Sequence, residues 1–130
     1  MFNRFLCRWF PFLAWGMLIV WLSLIPAPPS IDNPFFGWDK FQHAVAYSIF
    51  TLLAFRAFGL FAAAARRRWL KAAAVTLMLG GSLEVAQGLF TQTRTAEWSD
   101  LLADLAGAGA AYLAVRVYLC LVPGERKNRS

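Results

Sequence analysis

Residues 72–90 read AAAVTLMLGGSLEVAQGLF. One ionisable residue, Glu84, interrupts a run that is otherwise uncharged and mostly apolar or small. A helix needs about 20 such residues to cross the hydrocarbon of a bilayer. In lipid, backbone polar groups are satisfied only within helices or closed barrels. The stretch therefore reads as the body of a membrane helix spanning about 69–90. Glu84 lies roughly two turns from its end, where an uncompensated carboxylate is costly. It is the first candidate for a working site.

Three more apolar stretches surround this one, over about 9–25, 39–61 and 100–122. Pro26, Pro28 and Pro29 end the first, because proline lacks an amide donor and disfavours helix in the residue before it. The fold class predicted is all-α: a polytopic membrane protein, a bundle of four transmembrane helices forming one domain over 1–130. Composition agrees. The chain is 59% apolar and 15% charged, where a soluble domain carries about a quarter charged residues. Arg4 and Arg8 before the first stretch resemble the start of a secretory signal. The apolar run is too long for a signal core and no small-x-small cleavage site follows, so a retained helix is expected.

All but two of the 13 lysines and arginines flank apolar stretches on one predicted side; Lys40 and Arg94 fall on the other. The positive-inside rule places both termini in the cytoplasm and the loops 27–38 and 91–99 outside. The same distribution argues against nucleic acid as a partner, because the basic residues form no single soluble face. Cys7 and Cys120 are expected as free, mostly packed thiols in a reducing compartment. Trp21, Trp38 and Trp98 are expected at headgroup level.

The remaining polar residues cluster near the predicted outer side. Residues four apart share a helix face. Asp39, His43 and Tyr47 form one such stripe, Glu84 and Gln87 share a face three apart, and Asp100 and Asp104 form another pair. Gly80 and Gly88 flank Glu84, and Gly107 with Ala111 continues the Asp100 stripe; small residues let neighbouring helices approach. None of these stripes is cheap alone, so they are expected to meet. Arg94 is expected to fork onto Glu84, Asp100 or Asp104. Taken singly, Asp39 suits a helix cap, Tyr47 an interface or packing residue, and Gln87 an interhelical hydrogen bond.

At these residues the chain resembles the VanZ-like family, named for a protein associated with resistance to the glycopeptide teicoplanin. The family pattern has an acidic-Lys-x-x-His-x-x-x-Tyr helix start, matched by Asp39, Lys40, His43 and Tyr47. It then has Glu-x-x-Gln, matched by Glu84 and Gln87, a loop arginine, matched by Arg94, and an aspartate six later, matched by Asp100. Gly107 also matches, while Asp104 stands where the family usually has asparagine. The resemblance implies a small multi-pass protein of the bacterial cytoplasmic (inner) membrane, connected with the cell envelope.

Three functions follow as expectations. The first is an outward-facing pocket binding a lipid headgroup, a lipid-linked envelope precursor or a glycopeptide, with Asp39, Lys40, His43, Tyr47, Glu84, Gln87, Arg94, Asp100 and Asp104 as ligand-binding residues. The second is an intramembrane enzyme acting on an envelope lipid, with His43 and Glu84 as candidates for acid–base work or a divalent cation held by His43, Glu84, Asp100 and Asp104. The third is a structural membrane subunit. The sequence assigns no cofactor and no resident metal site. Ser48, Ser82 and Ser99 lack the supporting motif of a nucleophile.

Overall fold

A computed structural model describes residues 2–25, 38–61, 64–90 and 98–121 of the chain. They form four helices: α1 (Phe2–Leu24), α2 (Trp38–Phe58), α3 (Ala65–Phe90) and α4 (Trp98–Leu121). The all-helical expectation holds. Three of the four are long and apolar enough to cross a membrane, over Asn3–Leu24, Ala65–Phe90 and Trp98–Tyr118. Helix α2 falls outside that set because Asp39, Lys40, Gln42, His43 and Arg56 dilute its apolar residues.

The position of α2 accounts for its polarity. It packs against α1, α3 and α4, most extensively against α4, while α3 also touches α1 and α4. Consecutive helices run antiparallel, so the C-terminal ends of α1 and α3 meet the N-terminal ends of α2 and α4. This is the polar end of the bundle. The opposite, basic end carries Arg4, Arg8, Arg56, Arg66, Arg67, Arg68 and Lys71.

Two helices begin earlier than the hydropathy pattern suggests. Helix α1 starts at Phe2 and runs through Pro11. Proline removes one backbone bond from a helix. Here the turn before it is held by aromatic packing: Trp9 stacks on Phe5 at 5.7 Å and meets Phe12 and Phe58 edge-on at 5.6 and 5.7 Å. Such pairs contribute about 0.5–1.5 kcal/mol each beyond their buried area. Helix α3 starts at Ala65, so the basic run lies within its first turns. Trp69 stacks on Phe55 at 4.2 Å, and the Arg68 guanidinium sits 5.9 Å from the same Phe55 ring. Long basic side chains can cover apolar surface in this way while the charge reaches the interface.

The core lies along the inward face of α2, where Tyr47, Phe50, Ala54 and Ala57 pack with Phe12, Ile19, Ala72 and Leu83. Inside it, the Thr51 and Thr76 hydroxyls meet at 2.9 Å across α2 and α3. Helix α1 is tied on by the Trp15 indole, which donates to the Ala46 carbonyl at 2.9 Å. Cys7 is exposed rather than packed, since its face of α1 borders the basic cleft described below. The side chain of Cys120 lies outside the described residues. Trp98 and Trp21 are exposed, at 85% and 62%.

Gly107 sets the spacing of α2 and α4. A Cβ at this position would run into the backbone of Ala44, against its carbonyl oxygen and Cα. The Ser48 hydroxyl donates to the Gly107 carbonyl at 2.7 Å from the same side. Gly107→Ala is expected to destabilise the bundle by about 1–3 kcal/mol, because backbone cannot swing aside to relieve the overlap. Gly109→Ala meets nothing within 4 Å and should stay within about 0.5 kcal/mol of the parent. Thermal unfolding of the detergent-solubilised protein measures both.

Candidate functional site

The close approach of α2 and α4 brings their first turns together at the polar end. Lys40, on the first turn of α2, reaches Asp100 on the first turn of α4, with Nζ and Oδ1 3.3 Å apart. One turn deeper, His43 Nδ1 lies 3.2 Å from Oδ1 of Asp104. Asp104 is 1% exposed, and its second oxygen, Oδ2, has no hydrogen-bond partner among the described residues. Helix α3 makes room for it, since a Cβ at Gly80 would collide with that same oxygen. Gly80 therefore accommodates Asp104, and Gly88 is exposed.

Tyr47 completes the stripe. It is buried, and its ring lies nearly parallel to that of His43 with centroids 6.2 Å apart. Glu84 on α3 is half-buried. Residues of α2, α3 and α4 thus converge within about 10 Å of depth, the rise of the seven residues from Lys40 to Tyr47.

A cleft of about 370 Å³ opens beside the cluster, between α1 and α2. His43, Tyr47, Gln42 and Ser23 give it polar walls, and Ile19, Leu22, Ile25 and Ala46 line the rest. His43 belongs to both features: its ring lines the cleft while Nδ1 bonds the buried Asp104. A carboxylate on one ring nitrogen fixes the tautomer and orientation of an imidazole. Gln87 turns toward α1, where its amide donates to the Ser23 carbonyl at 3.0 Å. It braces the rim of the cleft from behind.

The described pairings are ones that the sequence spacing did not specify. Asp100 and Asp104 are met by Lys40 and His43. Arg94, proposed to fork onto one of them, lies outside the described residues, as does the side chain of Asp39 in the first turn of α2. Among the described residues, no three of the His, Cys, Asp and Glu side chains gather closely enough to hold a metal ion. Four polar residues escaped the sequence reading: Ser23 and Gln42 in the cleft, and Thr51 and Thr76 below it. Thr51 and Thr76 were visible as hydroxyls inside apolar runs, and Gln42 as the neighbour of His43. Ser82 bonds its own helix, donating to Met78 O at 2.6 Å.

A bundle of helices, three of them long and apolar enough to cross a membrane, gathered around a polar cluster defines a membrane protein with a candidate site between its helices. The family model described as VanZ/LLP1 matches residues 12–120, and the chain belongs to that family. No curated protein and no solved structure matches it.

The two ion pairs should differ in strength. A double-mutant cycle on His43→Ala and Asp104→Asn is expected to give about 1–3 kcal/mol of coupling, since both groups are shielded and in direct contact. The cycle on Lys40→Ala and Asp100→Asn should give below about 1 kcal/mol, because Lys40 is more open to solvent. Unfolding of the parent, the four single variants and the two double variants in one detergent reads both values.

Proposed function

We propose that this VanZ/LLP1-family membrane protein binds the headgroup of a membrane lipid or lipid-linked envelope precursor at its polar end. The observation that carries the reading is the double role of His43, which lines the α1–α2 cleft while bonded to the fully buried Asp104. A carboxylate held away from water is costly, and here it is coupled through one imidazole to a cleft wall. Tyr47, Gln42 and Ser23 add hydroxyl and amide groups suited to phosphate or sugar oxygens. The volume of about 370 Å³ lies near the low end of small-molecule sites. That suits a headgroup better than a whole glycopeptide. The apolar walls suit the first carbons of a chain attached to it. Lys40, Glu84, Asp100 and Asp104 hold the cluster in register, and Arg94 and Asp39 belong to the same proposal through the family pattern.

Two further points belong to this reading. Helix α2, with 21 residues, extends about 31 Å at 1.5 Å per residue. We take it as a fourth span, its polar face covered by three neighbours. Both termini then lie in the cytoplasm of a bacterial inner membrane, and the polar end faces outward. Reporter fusions after residue 94 and at the C-terminus should report opposite compartments.

Acid–base catalysis on such a lipid is a second reading, favoured by the His43–Asp104 geometry. A carboxylate on Nδ1 is the arrangement that orients a histidine general base.

Native mass spectrometry of gently extracted protein tests the binding proposal. The wild type is expected to retain a lipid that His43→Ala and Asp104→Asn lose while keeping their helicity. Lipid-free spectra in several detergents would refute it. Under the catalytic reading, wild type converts the retained lipid, and the same variants keep it bound but unchanged.

A further inference from the structure

The basic end of the bundle holds a second concave site, remote from the cluster above. A cleft of about 360 Å³ is lined by Asn3, Arg4, Cys7, Arg8 and Arg56. Three guanidinium groups from two helices share it. Among the described residues none of the three is paired with a carboxylate, and every acidic side chain described lies toward the polar end.

The arginines are positioned rather than merely crowded. Arg8 reaches from α1 to α2, its Nη1 3.5 Å from the Arg56 carbonyl oxygen. The turn after α2 leaves space for it. A Cβ on Gly59 would stand 2.8 Å from Arg8 Nη1 and 3.5 Å from Arg68 Nη1, so a side chain there would push the Arg8 guanidinium out. A fourth arginine, from α3, therefore borders the same spot. Like charges held side by side repel unless an anion lies among them. A planar guanidinium fork matches a phosphate with two parallel hydrogen bonds.

We propose that this cleft is a binding site for a phosphate group, held by Arg4, Arg8 and Arg56 at the end of the bundle opposite the headgroup site. Two sources share that chemistry: an anionic lipid of the adjacent leaflet and a soluble phosphate. A simple orientation signal asks only that basic residues lie on one side. It does not require them to converge on a cleft, nor a glycine to be kept for one of them. This site is independent of the proposed function.

Cys7 gives a local readout, because it is exposed and lines the cleft. In a Cys120→Ser background, alkylation of Cys7 by N-ethylmaleimide is measured in nanodiscs of phosphatidylcholine, of phosphatidylglycerol, and of phosphatidylcholine with added inorganic phosphate. Occupancy should slow alkylation. Arg4→Gln with Arg56→Gln should weaken it about tenfold or more, the loss of at least one charge-assisted bond. Arg66→Gln with Arg67→Gln removes the same charge outside the cleft and should leave protection intact. Protection by phosphatidylglycerol, lost only in the first pair, identifies a lipid headgroup. Protection by inorganic phosphate with the same dependence identifies a soluble ligand. Equal Cys7 reactivity in all three conditions, or equal loss in both pairs, overturns the proposal.

Discussion

The backbones of α2 and α4 touch at Ala44 and Gly107, and the polar end depends on that contact. Interhelical distance decides which side chains can meet. With no side chain at residue 107, Ser48 reaches the backbone of α4, His43 reaches Asp104 and Lys40 reaches Asp100. Adding even one methyl group would separate the helices along the stretch where these pairs form. Of the two ion pairs, Lys40–Asp100 is modest glue, below about 1 kcal/mol like the average interhelical polar contact in membranes. The packing of backbone on backbone is what places them.

The same contact explains how a helix as polar as α2 fits a membrane protein. Charged and amide groups are expensive in hydrocarbon but not where other helices cover them. Helix α2 lies between the other three, and its polar residues point to α4, to Thr76 of α3 and to the cleft beside α1. Neighbouring helices do for α2 what apolar side chains do for the others. Gly80 extends the arrangement to α3, leaving space where the Asp104 carboxylate is lodged.

Much of this was legible in the sequence. Apolar run lengths pointed to four helices, and four-residue spacing pointed to the shared faces of His43 with Tyr47 and of Asp100 with Asp104. Periodicity reports which face a residue occupies, but not which residue of another helix stands opposite. That depends on helix register, which Gly107 and Ala44 set and no single segment encodes. Hence the spacing did not show that Gly80 makes room for Asp104 of α4, or that Lys40 and His43 stand opposite the two aspartates. The start of α1 was hidden for a different reason. Hydropathy does not report the turns before Trp9, which rest on aromatic contacts within α1 and with Phe58 of α2. Cys7 read as packed because thiols usually are, and only the placement of Arg4 and Arg8 reveals an open face.

Two of the ties that hold α1 share a chemical asymmetry. Trp15 donates to the carbonyl of Ala46, and Gln87 donates to the carbonyl of Ser23. In each, the acceptor is main chain, which every amino acid supplies. Evolution is therefore constrained on one side only. The indole and the amide must persist, whereas residues 23 and 46 are free to drift among types of similar size with α1 still fastened. The wall of the cleft can change its chemistry without loosening the helix that forms it.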